Sequence, residues 1–114
     1  MKNLEVLRVD NFEELTGLGE FPKLKELSCY GCKYLKDYGL IRLLKCAPNL
    51  ELLDIRNCEN VTNSVIDVAI KETEKRTNNI VLEIRINGTE ININESYVYM
   101  TPLMQHLLYL NLME

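Results

Sequence analysis

Shifted by 26 positions, the chain lines up with itself. Pro22-Lys23-Leu24-Lys25-Glu26-Leu27-Ser28-Cys29-Tyr30-Gly31-Cys32 meets Pro48-Asn49-Leu50-Glu51-Leu52-Leu53-Asp54-Ile55-Arg56-Asn57-Cys58, and both read P-x-L-x-x-L-x-[C/I]-x-x-C. The match continues with Leu35 on Val61, Asp37 on Asn63, Leu40 on Ile66 and Leu43-Leu44 on Ala69-Ile70. An upstream copy sets Leu4, Leu7, Val9 and Phe12 on Leu24, Leu27, Cys29 and Cys32. A degenerate fourth copy is read at Val81, Ile84, Ile86 and Thr89. Such a repeat constrains folding more than composition does. One copy is too small to bury its own apolar side, so copies must stack and share a core.

Within a copy, the L-x-L centre reads as a short strand whose alternate side chains point inward. The segment after it reads as a helix. Leu40, Leu43 and Leu44 make an apolar stripe on 37–45, and Val65, Ile66, Ala69 and Ile70 make one on 64–76. Thr62 or Asn63 can cap the second helix. The period breaks after residue 80. Residues 80–86 are strand-like, and Asn87-Gly88 is a hairpin signal after which 90–94 could fold back antiparallel. Thr101-Pro102 fits the start of a last helix through Leu103, Met104, Leu107, Leu108 and Leu110. These readings give repeats at 1–21, 22–47 and 48–79, with a C-terminal cap over 80–114.

The segment 46–66 resembles the cysteine-containing subtype of leucine-rich repeats found in F-box/leucine-rich-repeat proteins, the substrate receptors of cullin-based ubiquitin ligases. Pro48, Cys58, Thr62 and Asn63 hold that subtype's places, and Pro22, Cys32, Lys36 and Asp37 hold them one copy earlier. The resemblance is close over 22–70 and loose over 1–21. It implies an α/β fold, a short leucine-rich-repeat solenoid with parallel strands on the inner face, helices outside, and a strand/hairpin-plus-helix cap. It also implies a protein-interaction module, the substrate-recognition segment of an F-box-like receptor; the alternative is a non-catalytic assembly subunit of a larger complex. Two departures stand out: the chain contains no F-box segment, and the first copy is short and carries Phe12 in place of Cys. Nothing precedes Leu4 to cover the first copy's apolar side, so the expectation there is a neighbour: further repeats, an F-box or a partner chain.

Cys29 and Cys32 are spaced C-x-x-C, the spacing of zinc and thiol-redox sites. The repeat register accounts for them more simply. Cys29 holds the inward position of Ile55, and Cys32 and Cys58 are equivalent, so all three are expected as reduced core thiols. No metal or cofactor is expected. Sequons at Asn60, Asn87 and Asn94 matter only in a secreted protein, and no secretory signal is seen. His106, the one histidine, is expected on a helix flank, and Ser28, Ser64 and Ser96 have no recognisable histidine partner. Gly17-Leu18-Gly19 is no dinucleotide fingerprint, because the third glycine would fall on Pro22. No enzymatic activity is expected. A net charge of −4 argues against nucleic-acid binding, and no apolar run reaches membrane-spanning length. The expected setting is therefore cytoplasmic or nuclear, with protein partners, and with ubiquitin-ligase components if an F-box lies upstream.

The register also nominates a binding face. Side chains flanking the inward positions form columns: Val6, Glu26, Leu52 and Glu83; then Arg8, Ser28, Asp54 and Arg85; then Asp10, Tyr30, Arg56 and Asn87. Tyr and Arg are enriched at interface hot spots, which puts Tyr30, Leu52, Asp54 and Arg56 at the expected centre. The competing expectation is an inert ladder, with Asp54 paired to Arg85 and Asp10 to Arg56 through Tyr30.

Overall fold

A computed structural model describes residues 2–93 and 107–114. It is an α/β protein whose strands form one parallel sheet in the order of the sequence. The elements are β1 Val6–Arg8, β2 Glu26–Ser28, α1 Asp37–Cys46, β3 Leu52–Asp54, α2 Asn63–Glu74, β4 Leu82–Arg85 and β5 Leu108–Asn111. Parallel neighbours need crossovers; α1 supplies the one from β2 to β3 and α2 the one from β3 to β4. Leu7 lies opposite Leu27, Leu27 opposite Leu53, and Leu53 opposite Ile84, so the strand pairing follows the sequence register. Among the described residues, no helix is long and apolar enough to cross a membrane.

The inward side chains form one core. Leu27, Leu53, Ile84 and Leu110 are buried at a shared register, and α1 and α2 close over them with Leu40, Leu43, Leu44, Val65, Ile66 and Ala69. The first copy contributes less: Leu4, Leu7 and Val9 are only partly buried, and Phe12 stays 53% exposed. Both expected helices form, and Thr62 is the N-cap of α2, its hydroxyl accepting from the Ser64 N–H at 3.4 Å. Polar links tie each helix start to the next copy. Asp37 accepts from the Thr62 N–H at 2.7 Å, and its equivalent Asn63 accepts from the Asn92 N–H at 2.7 Å.

One turn recurs after each of the first four strands. The N–H groups of Phe12, Cys32, Cys58 and Thr89 donate to the carbonyls of Val9, Cys29, Ile55 and Ile86. The residue before each donor takes a left-handed backbone: Asn11 at φ 58°, Gly31 at 72°, Asn57 at 61° and Gly88 at 81°. Only Gly, and less readily Asn, enters that region at small cost. The order matters too, because a Cβ on Gly31 would overlap Asn11 Oδ1, and one on Gly88 would overlap Asn57 Oδ1. Asparagine stands over glycine from one copy to the next.

This turn corrects the hairpin expectation. Asn87-Gly88 makes no reversal, since only Gly88 has positive φ whereas the favoured Asn-Gly hairpin turn needs it at both residues. The chain instead follows the copy before it, with the Glu90 N–H donating to the Val61 carbonyl at 2.9 Å. The free edge of β4 is taken by β5, which runs parallel to it. The last-helix expectation is corrected over 108–111 as well. Leu108 and Leu110 alternate with Tyr109 and Asn111 and pair with Leu82 and Ile84, so a sheet edge outweighs local helical preference. Thr101-Pro102, Leu103, Met104 and His106 lie outside the described residues. In the fourth copy Val81 is 44% exposed, and Leu82 takes the buried place expected for it.

Gly31→Ala is expected to cost about 1–3 kcal/mol in urea unfolding, the usual cost of a strained backbone. Asn11→Gly in the same chain should restore part of that loss. The corresponding Asn57→Gly should rescue Gly88→Ala less, because the Asn57 backbone N and Cα lie 3.0 and 3.1 Å from the added Cβ. Equal rescue in the two pairs would contradict the stacking account.

Candidate functional site

The sheet face opposite the core presents the expected columns. Val6, Glu26, Leu52 and Glu83 stand in line across β1 to β4, and Arg8, Ser28, Asp54 and Arg85 form the next line. Neighbours within a line are ~4.8 Å apart. The structure extends both lines by one strand, adding Tyr109 beside Glu83 and Asn111 beside Arg85. These two escaped sequence reasoning; the signal was the alternation Leu108-x-Leu110, which repeats Leu82-x-Ile84. A shallow depression of about 230 Å³ opens over β1 to β4, lined by Val6, Arg8, Glu26, Ser28, Leu52, Asp54 and Arg85.

Most of the polar groups on this face are held by one another. Asp54 is 5% exposed and receives Arg56 in a two-pronged pair, Nε to Oδ1 at 2.9 Å and one terminal nitrogen to Oδ2 at 2.7 Å. Arg85 reaches Asp54 only at 3.9 Å, its Nε donating instead to Glu83 at 3.0 Å. Asn111 adds a second donor to Glu83 at 3.1 Å. The Asp54–Arg85 rung is therefore secondary to a pair along β3's own chain. Asp10 does not meet Arg56; it accepts from the Ser28 hydroxyl at 2.5 Å and the Tyr30 N–H at 3.0 Å. Arg56 lies over the Tyr30 ring, 5.2 Å from its centre, and Asn57 donates to the Tyr30 hydroxyl at 2.8 Å. Of the four residues expected at the centre, Tyr30, Asp54 and Arg56 are in contact, with Asn57 joining them, and Leu52 stands two residues before Asp54 on β3.

Burial by itself would raise the Asp54 carboxyl pKa, but the Arg56 hydrogen bonds and charge hold it below the usual carboxylate range. Hydrogen bonds from Asn111 and Arg85 likewise lower Glu83. A depressed carboxyl stabilises the fold above its unfolded pKa, ~3.9 for Asp, and that contribution disappears as pH falls through the folded value. Asp54→Asn should therefore lower unfolding free energy at pH 7 by about 1.5–3 kcal/mol, the range for charge-assisted hydrogen bonds. The gap to the wild-type chain should narrow as pH falls below ~4. A gap of the same size at pH 7 and pH 2 would contradict this assignment.

Cys29, Cys32 and Cys58 are buried, Cys46 is half-buried, and no two are joined. The Cys32 thiol donates to the Val9 carbonyl at 3.0 Å and the Cys58 thiol to the Cys29 carbonyl at 2.9 Å, so each bridges to the copy before it. Burial raises all three pKa values, that of Cys58 to about 12. Such thiols are poor nucleophiles. Among the described residues, no three His, Cys, Asp or Glu side chains are grouped to hold a metal ion. A thiol reagent should modify Cys46 in the native protein and reach the other three only on unfolding. Fast native modification of Cys29 or Cys58 would show that the core opens.

No protein-family model matches the chain, and no solved structure matches it. Among curated proteins, it is 38% identical over 58 residues to the antagonist of mitotic exit network protein 1 of Candida glabrata. That match covers 51% of this chain and 10% of the relative, so the chain aligns with about a tenth of that longer protein.

Proposed function

We propose that the chain is a protein-interaction module: a leucine-rich-repeat solenoid whose open sheet face is the substrate-recognition surface of an F-box-like ubiquitin-ligase receptor. The observation that carries this proposal is the face itself. Neither helix covers it, and its central side chains are fixed by mutual hydrogen bonds, with Arg56 held between Asp54 and the Tyr30 ring. A surface ordered before binding loses less conformational entropy when a partner arrives. The sequential parallel strands and the recurring turn support the solenoid reading. The module acts by binding, without catalysis or a cofactor. A relative named for antagonism of the mitotic exit network is compatible with a chain that works by contact.

The test is affinity capture from native lysate with the wild-type chain and with a Tyr30→Ala/Arg56→Ala double variant, compared by quantitative mass spectrometry. Partners that use this face should fall at least severalfold with the variant, and an unchanged partner list would remove the proposal. The ligase role has its own readout: the full-length gene product should co-purify with the ligase adaptor.

A further inference from the structure

The ionised side chains on the open face fall into two groups. Asp54, Arg56, Glu83 and Arg85 are paired with one another, and Asp10 is held by Ser28 and the Tyr30 backbone. Among the described residues, Arg8 and Glu26 have no ion-pair or hydrogen-bond partner for their side chains, yet both line the depression. Their positions differ. Arg8 is exposed on β1, at the edge of the sheet. Glu26 is half-buried on β2, with Val6 opposite it on one side and Leu52 on the other. A carboxylate between two aliphatic side chains is partly stripped of water and gains most from an incoming cation.

From this arrangement we infer that the depression takes a basic side chain of a protein partner, a lysine or arginine whose charged end meets Glu26 while its methylene stem lies over Val6 and Leu52. Long basic side chains combine these two contacts, an apolar stem and a charged tip. The chain's net charge of −4 favours the approach of such a segment. Arg8 stands diagonally from Glu26 across β1 and β2, about 7–8 Å away by strand geometry. It would meet an acidic residue next to the basic one and so fix the direction of the bound segment. This inference rests on the proposal that the face is a binding surface, and it specifies the chemistry that surface selects.

The test is selection of a phage-displayed random-peptide library on the wild-type chain, with the recovered peptides measured against Glu26→Gln, Glu26→Lys and Leu52→Asp variants. Wild-type selection should enrich Lys and Arg. Binding should weaken about tenfold or more with Glu26→Lys, less with the near-isosteric Glu26→Gln, and further as salt is raised. Peptides that are lost with Leu52→Asp but show no basic enrichment, or ignore both Glu26 variants, would overturn this inference and leave the face as a binding surface. If no recovered peptide depends on Leu52, both proposals fall.

Discussion

The stacking of one left-handed turn on the next governs the rest of the structure. At Asn11, Gly31, Asn57 and Gly88 the backbone enters a region closed to most residues, and the following N–H closes the turn onto the strand just left. The N–H groups of Asn11, Gly31 and Asn57 donate to carbonyls of the next copy, those of Tyr30, Arg56 and Asn87. Each of the first three turns is thus satisfied by its successor. A one-residue slip would put a side chain with a Cβ where only glycine fits, and would also turn every inward leucine to the other face. Register is specified twice, once by apolar burial and once by steric exclusion.

The same register explains why thiols suit the place after the turn. Cys32 and Cys58 have no room to be large and each has one carbonyl of the preceding copy within reach. A thiol packs as a small hydrophobe and donates weakly, so it adds a second donor to a carbonyl that already accepts its own turn's N–H, with little desolvation cost. In the first copy Phe12 stands at this place, half exposed, and Val9 instead receives the thiol of Cys32. In the fourth copy Thr89 turns its hydroxyl back to Ile86 within its own turn, at 2.7 Å. The bridging role is thus confined to the two copies whose sequences match best.

Much of this was legible from the chain. The shift of 26 residues located β2 and β3, both helices, and the columns of the open face, because a strong repeat transmits position as well as type. What escaped were features decided by contacts between copies. Asn87-Gly88 carries a hairpin signal by local chemistry, yet equivalence with Asn57, Gly31 and Asn11 makes it one more left-handed turn. Leu108 and Leu110 sit in a stretch that reads as helical, yet β4 offers an edge that rewards alternation. The ion pairing departs in part: Arg85 does reach Asp54, at 3.9 Å, but Asp10 pairs with Ser28 and not with Arg56. Asp54 prefers Arg56, two residues along its own chain, because that geometry allows a two-pronged hydrogen bond. Pairing after α2 is equally local: Glu72 meets Lys75 at 3.0 Å while Arg76 donates to the Ile80 carbonyl.

An inert ladder would be expected to quench every charge, since a surface ion pair costs little to form and leaves nothing exposed to a wrong partner. The open face does so over β3 and β4, where Asp54 and Glu83 gather donors from Arg56, Arg85 and Asn111. Over β1 and β2 it does not. Arg8 and Glu26 stand close enough to be neighbours by strand geometry, yet among the described residues each is unpaired, Glu26 between the aliphatic Val6 and Leu52. Pairing them would gain at most ~1 kcal/mol, so leaving them apart costs the fold little. The quenched half gives the face its rigidity, and, on the proposal that the face binds a partner, the unquenched half is the part that discriminates. A stiff scaffold next to two unsatisfied charges of opposite sign is the arrangement in which a partner's own charges set orientation more than affinity.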